Sequence, residues 1–230
     1  MVEVALYAAA TSGALLVGAA FGCFRAPPAR LTAGILAFAA GAMVVSVAFE
    51  LFEPAHRQAG LARASAALLV GAATYIAIDL LIQRSAGAEA AGLALVAAAA
   101  LDGIPENLAL GVGLAESGSY ALLASIVVSN FPEGFGGAAR MRQGGASSAR
   151  ALFVWGLTAA LVAVALFAGR LAADVASEQW LGMLAAFAAG AVLAALADSV
   201  MPEAYADGGP LVAFATSGGF LLAYALTTLD

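Results

Sequence analysis

The sequence has little charge and almost none of the side chains that disulfides and common zinc sites use. Of its 230 residues only 10% are charged, and there is one Cys and one His. An average soluble domain is about 25% charged and about 45–50% apolar, whereas this chain is 63% hydrophobic. The single Cys excludes an internal disulfide and a Cys-based zinc site. The composition therefore excludes an ordinary soluble enzyme and predicts an integral membrane protein.

Positive charge is scarce as well. All nine basic residues are Arg, and the formal net charge is −6. The chain therefore lacks the basic patch that would neutralise nucleic-acid phosphates, and we expect no nucleic-acid partner. The sequence also carries no nucleophile–base pair and no cofactor motif, so we do not expect an enzyme.

Eight apolar stretches are long enough to cross a bilayer, which takes about 20 helical residues. They are apolar without the alternation of barrel strands, so they predict an all-α membrane protein with one transmembrane domain, residues 1–230, embedded in the lipid bilayer. If the N-terminus is outside, six Arg lie in inner loops and three in outer loops. This bias favours both termini outside a plasma or inner membrane. Trp155 and Trp180 begin two spans, as interfacial aromatic residues do. The predicted spans are 3–23, 31–52, 65–82, 91–114, 119–139, 151–169, 180–200 and 210–228.

Spans two and seven contain the same five residues, Phe-Ala-Ala-Gly-Ala, at positions 38–42 and 187–191. Each copy is followed by acidic residues and a Pro, with an offset of 149 residues between the copies. Span seven is the fifth span after span two, an odd difference, so the two segments would cross the membrane in opposite directions. An inverted repeat of this kind is typical of secondary transporters.

Spans four and five each carry a Pro-Glu pair in the middle of an apolar run. Asp102 and Glu106 are four residues apart and share one helical face. In span five, Ser129 and Asn130 precede Glu133 by four and three residues. Ionisable groups at membrane depth are costly unless they are paired or hydrated, so these residues are functional candidates. The Pro before each Glu also leaves a backbone carbonyl without its helical N–H partner.

Two such helices facing each other would gather three carboxylates, an amide, a hydroxyl and two spare carbonyl oxygens. Three buried negative charges without a cation would repel one another and take up protons. A divalent cation resolves this conflict better than anything else in the chain.

These motifs resemble those of the zinc/iron permease (ZIP) family of divalent-metal transporters. That family carries His-Asn-x-Pro-Glu-Gly-like and His-Glu/Asn-x-Pro-Glu-Gly-like motifs, where this chain has Asp-Gly-Ile-Pro-Glu-Asn from residue 102 and Ser-Asn-Phe-Pro-Glu-Gly from residue 129. Span seven and the start of span six are also similar, so the resemblance covers the whole chain. It implies eight helices in a 3+2+3 inverted-repeat bundle with a metal site between helices 4 and 5. It also implies metal transport toward the cytoplasm by sliding of one helix group against the other.

Both motif histidines are absent, since Asp102 and Ser129 stand in their places. The resemblance then implies one metal held by Asp102, Glu106, Asn130 and Glu133, with Ser129 assisting. Oxygen ligands suit hard cations whereas imidazole favours Zn²⁺. We therefore expect a weaker zinc preference and more tolerance of Mn²⁺, Fe²⁺ or Cd²⁺. The metal is the transported substrate, and no organic cofactor is expected.

Two other functions remain open from the sequence. The carboxylates could form a proton relay in a carrier or channel for another solute, or the protein could bind metal without transporting it. The acidic residues Glu50, Glu53, Asp198 and Glu203 end spans two and seven, where they could line the metal path or simply reach water. The sequence also leaves a homodimer open.

Overall fold

A computed structural model describes residues 2–24, 28–85, 103–115 and 120–228 of the chain. These residues are almost entirely helical and contain no strand, which confirms the all-α prediction. Asp102, one of the predicted metal-binding residues, lies outside the described residues.

Ten α-helices are found in the described parts of the chain, here numbered α1 to α10. Two π-helical segments, Ser46–Phe52 and Leu196–Val200, continue α2 into α3 and α8 into α9, and a 3₁₀ turn, Gly209–Leu211, leads into α10. The helices are α1 (Val2–Phe24), α2 (Ala29–Val45), α3 (Glu53–Ala59), α4 (Leu61–Ser85), α5 (103–113), α6 (Tyr120–Gln143), α7 (Ser148–Val175), α8 (Glu178–Ala195), α9 (Met201–Gly208) and α10 (Val212–Thr227).

Five helical segments within the described residues are long and apolar enough to cross a membrane. The last of them has 50 residues. A straight helix of that length would extend about 75 Å, more than twice the ~30 Å hydrocarbon core. Gly209 interrupts this segment, since its φ of 67° is the left-handed conformation that glycine adopts readily. The segments are Val2–Phe24, Ala29–Ala59, Leu61–Leu81, Ser148–Val175 and Glu178–Thr227.

The helices pack in two groups. In the first helix group (α1, α5, α6 and α7), α1 lies along both α6 and α7, and α5 contacts α7. In the second helix group (α2, α3, α4, α8, α9 and α10), α2 lies along α10, and α4 lies along α8. The groups meet mainly where α6 lies against α2, α10 and the π-helical segment Ser46–Phe52.

Glycines bring four helix pairs into backbone contact, and each pair lies within one group. A Cβ on Gly41 would lie 2.8 Å from the carbonyl carbon of Thr216, and one on Gly219 would lie 2.7 Å from that of Phe38. Each glycine of the pair therefore lies against the carbonyl group of the residue three positions before the other glycine. Small residues allow such close approach of helices in lipid. The same reciprocal contact joins Gly71 with Gly190, Gly18 with Gly134, and Gly111 with Gly169.

The two π-helical segments occur at equivalent places after the repeated Phe-Ala-Ala-Gly-Ala sequences. Each is followed by a helix with a Pro in its first two positions, Pro54 in α3 and Pro202 in α9. A Pro cannot donate to the carbonyl four residues earlier and clashes with it. Those carbonyls belong to Glu50 and Asp198, which lie in the two π-helical segments. The wider π turn accommodates the clash without ending the helical path.

The two Trp residues differ in their surroundings. Trp180 is 65% exposed near the start of α8, as expected for an interfacial residue. Trp155 is only 2% exposed and packs over Gly137 of α6, so its indole faces the protein interior and not the lipid. The missing Cβ at Gly137 leaves the space that the indole fills.

Candidate functional site

A small cavity of about 40 Å³ lies where the two helix groups meet. A water molecule needs at least about 10–15 Å³ of such space, so a cation with few waters would fit. The polar part of its wall is formed by Glu106 of α5 and by Ser129 and Glu133 of α6. The rest of the wall is apolar and comes from α2, α8 and the π-helical segment after α8, through Leu36, Ala39, Met43, Val192, Ala195, Leu196 and Val200.

The two glutamates reach this cavity from different helices. Glu106 follows Pro105 in the first turns of α5 and is buried, and Glu133 follows Pro132 in the interior of α6 and is half-buried. Two carboxylates beside one small apolar-walled space repel each other unless a cation or a proton offsets their charge. The arrangement therefore suits a bound cation or a shared proton.

Ser129 contributes a hydroxyl oxygen to the same cavity. Its side chain is buried, and its O–H donates to the carbonyl of Ile126 at 3.0 Å. A hydroxyl that has donated its proton still has two lone pairs to offer. Ser129 can therefore act as an oxygen ligand beside Glu106 and Glu133.

Asn130 is placed differently from the other predicted ligands. Its Nδ2 donates to the backbone carbonyl of Thr11 in α1 at 3.0 Å, and the side chain is 1% exposed. It is not among the described residues that line the cavity. The structure thus brings together three of the five predicted residues and places Asn130 at the contact between α6 and α1.

The predicted third carboxylate is Asp102, which lies outside the described residues, one position before α5. Among the residues that are described, no group of three or more His, Cys, Asp or Glu side chains could hold a metal. The four-ligand set therefore stays a prediction from the sequence.

The acidic residues at the ends of spans two and seven do not line the described cavity. Glu53 forms an ion pair with an Arg one turn later in α3. Glu203 pairs with Arg140, which links α9 of the second helix group to α6 of the first. Glu50 is half-buried and Asp198 is exposed, in their respective π-helical segments.

Two buried polar features outside the cavity wall were not predicted. The hydroxyls of Ser46 and Ser125 form a hydrogen bond of 2.7 Å between the π-helical segment Ser46–Phe52 and α6. Asn107 is fully buried, and its Nδ2 donates to the carbonyl of Gly103 at 2.9 Å. Its Oδ1 has no hydrogen-bond partner among the described residues. The spacing of Ser125, one helical turn before Ser129, was the available signal for the first feature.

Comparison with known proteins does not assign this chain to a family. No family model matches it, and no curated protein matches it either. Interpretation of the cavity therefore depends on the chain's own residues and on the motifs described above.

Proposed function

We propose that the protein is a transporter of divalent metal cations of the Zn²⁺, Mn²⁺, Fe²⁺ or Cd²⁺ class, moving metal toward the cytoplasm. The observation that supports this most is the convergence of Glu106, Ser129 and Glu133 on one small, otherwise apolar cavity. Carboxylate and hydroxyl oxygens are suitable ligands for divalent cations. A divalent cation would also offset the two negative charges.

In this proposal Glu106 and Glu133 hold the metal from opposite helices, and Ser129 adds a neutral oxygen. Asp102, four residues before Glu106, would add a third carboxylate from the same helical face. Asn130 holds α6 against α1 through Thr11. Because Asn130 is not among the described residues that line the cavity, its role in metal binding would be secondary to that of the two glutamates.

We also propose eight membrane crossings in a 3+2+3 arrangement, with α1, α2 and α4 related to α7, α8 and α10 by an inverted repeat. The reciprocal glycine contacts support this. Gly41 and Phe38 contact α10, and the residues 149 positions later, Gly190 and Phe187, contact α4. Matching residues therefore make matching helix contacts. The two π-helical segments follow the same relationship.

Helix direction gives independent support for the crossing number. Arg63 and Trp180 lie in the first turns of α4 and α8 and line the same end of one groove, so these two helices run parallel. The eight-span prediction makes them crossings three and seven, which run in the same direction. Eight crossings would put both termini on the same side of the membrane, and the Arg bias of the loops favours the side outside the cytoplasm.

The position of the cavity suggests how access could alternate. Close glycine contacts lie within each helix group, whereas the cavity lies between the groups. A displacement of one group against the other would open the site to one side of the membrane at a time. The contacts that bridge the groups, Ser46 with Ser125 and Arg140 with Glu203, would hold one of the two states.

Metal-dependent thermal stabilisation of the purified protein in detergent tests the proposed site. A metal present at 100 times its Kd should stabilise the wild type by about 2.7 kcal/mol. We expect Glu106→Gln and Glu133→Gln each to abolish this effect. Glu53→Gln should keep it, because Glu53 lies outside the cavity in an exposed ion pair.

The proposal is wrong if no divalent cation stabilises the wild type, or if both cavity variants respond like the wild type. A protein that ignores metal, but whose liposomes carry protons in a manner dependent on Glu106 and Glu133, would instead favour the proton-relay alternative.

A further inference from the structure

A second candidate binding region is the groove between α4 and α8, on the exposed side of the second helix group. Its volume is about 410 Å³, within the range of small-molecule sites. The walls are apolar, and Arg63 and Trp180 lie together at one end. The other residues that line it are Ala66, Ala67, Val70, Met183, Leu184 and Phe187.

Arg63 is the only charged side chain lining this groove among the described residues. It is exposed, and it forms no ion pair with any carboxylate in the part of the chain that the structure describes. Its guanidinium can therefore offer its planar set of N–H donors to an external anion, and phosphate geometry suits such a donor set.

The chemistry along the groove changes from cationic at one end to fully apolar at the other. Trp180 is 65% exposed beside Arg63, as Trp residues at the level of lipid headgroups are. Val70 and Phe187 lie further along α4 and α8 and provide an apolar surface at acyl-chain depth. This order matches a lipid with a negatively charged headgroup and a hydrocarbon chain.

We propose that the groove between α4 and α8 binds an anionic phospholipid. The phosphate lies at Arg63, and one acyl chain lies along Val70 and Phe187. This site is separate from the cavity at Glu106 and Glu133, and it does not depend on metal transport.

The groove that α2 forms with α9 and the start of α10 provides a control within the same molecule. It is of similar size, about 570 Å³, and also contains an Arg, Arg30. Asp207 lines it as well, so a negative side chain offsets the cation there. An effect that comes from a general attraction of anionic lipids to Arg side chains, and not from this groove, would depend equally on Arg30 and Arg63.

The test measures binding of phosphatidylglycerol and phosphatidylcholine with identical acyl chains to the purified full chain in detergent. Native mass spectrometry counts bound lipids, and thermal unfolding reports stabilisation. One basic residue near an anionic lipid surface corresponds to about a fivefold change in affinity. We expect the wild type to prefer phosphatidylglycerol by about this factor. Arg63→Gln should remove the preference, Arg63→Lys should keep most of it, and Arg30→Gln should leave it unchanged.

Four results would overturn the proposal. They are equal binding of the two lipids by the wild type, an unchanged preference in Arg63→Gln, an equal loss in Arg30→Gln, and equal Arg63-dependent stabilisation by inorganic phosphate. The mass spectra also test a second copy as the occupant. A lipid-free dimer that Arg63→Gln or Trp180→Ala dissociates would be a fifth contradicting result, because it would show that another chain fills the groove.

Discussion

Replacing Gly41 by Ala should separate two helices that the structure places in backbone contact. The new Cβ would lie 2.8 Å from the carbonyl carbon of Thr216 and 2.9 Å from the amide nitrogen of Phe220, and closer still to the Thr216 oxygen. Ordinary contacts at a Cβ begin at 3.4 Å, and the Thr216 oxygen is the nearest atom, so α2 and α10 would have to move apart by well over half an ångström. The obstructing atoms are backbone, so no side-chain rotation can relieve the clash.

Overpacking of this kind costs about 1–3 kcal/mol. Alanine is also a better helix former than glycine by roughly 0.5–1 kcal/mol, which offsets part of the loss. We therefore expect Gly41→Ala to lower the free energy of unfolding by about 1–2 kcal/mol. Gly190→Ala should cost a similar amount, because its Cβ would lie 2.7 Å from the carbonyl carbon of Leu68 in α4.

The matched control is Gly34→Ala in the same helix, where a Cβ would meet nothing within 4 Å. This variant should be as stable as the wild type or slightly more stable. Thermal or denaturant unfolding in detergent measures all three proteins under one set of conditions. If Gly41→Ala and Gly190→Ala unfold at the same point as Gly34→Ala, the close glycine contacts on which the repeat is argued are wrong.

Three further predictions concern the boundary between the helix groups and the choice of metal. Ser46→Ala and Ser125→Ala should each lower the free energy of unfolding by about 1 kcal/mol. The double variant should lose less than the sum, because the two hydroxyls share one buried hydrogen bond. Strictly additive losses in unfolding experiments would contradict this. Arg140→Gln and Glu203→Gln should each lower the free energy of unfolding by at most about 1 kcal/mol, since both side chains are partly exposed. A larger loss would mean that the pair is more buried than the structure indicates. Asp102→His should raise zinc uptake relative to manganese, because imidazole favours zinc; an unchanged ratio in a competition assay would refute the predicted oxygen-only shell.

The apolar runs predicted where helices occur better than where they end. The span predicted at 151–169 is a helix from Ser148 to Val175, because Arg150 and Arg170 at its ends are compatible with helix although not with a hydrophobic run. The span predicted at 31–52 continues to Ala59 through a π-helical segment. Hydropathy does not indicate where a helix widens from α-helical to π-helical hydrogen bonding. That change depends on Pro54 and on the packing of the helix.

The candidate site was predictable in part for a similar reason. The Pro-Glu pairs mark Glu106 and Glu133 because a charge within an apolar run is conspicuous, and helical spacing adds Ser129. The apolar wall formed by α2 and α8 could not be predicted, since it depends on how those helices are rotated. The bond from Asn130 to Thr11 joins residues 119 positions apart, which local spacing cannot indicate.

Uptake of zinc and manganese into liposomes containing the purified protein tests the central proposal most directly. We predict that the wild type accumulates metal above protein-free liposomes, that Glu106→Gln and Glu133→Gln fall to the protein-free level, and that Glu53→Gln remains near the wild type. Uptake that persists when both cavity glutamates are replaced, or a wild type that accumulates neither metal, would contradict the account.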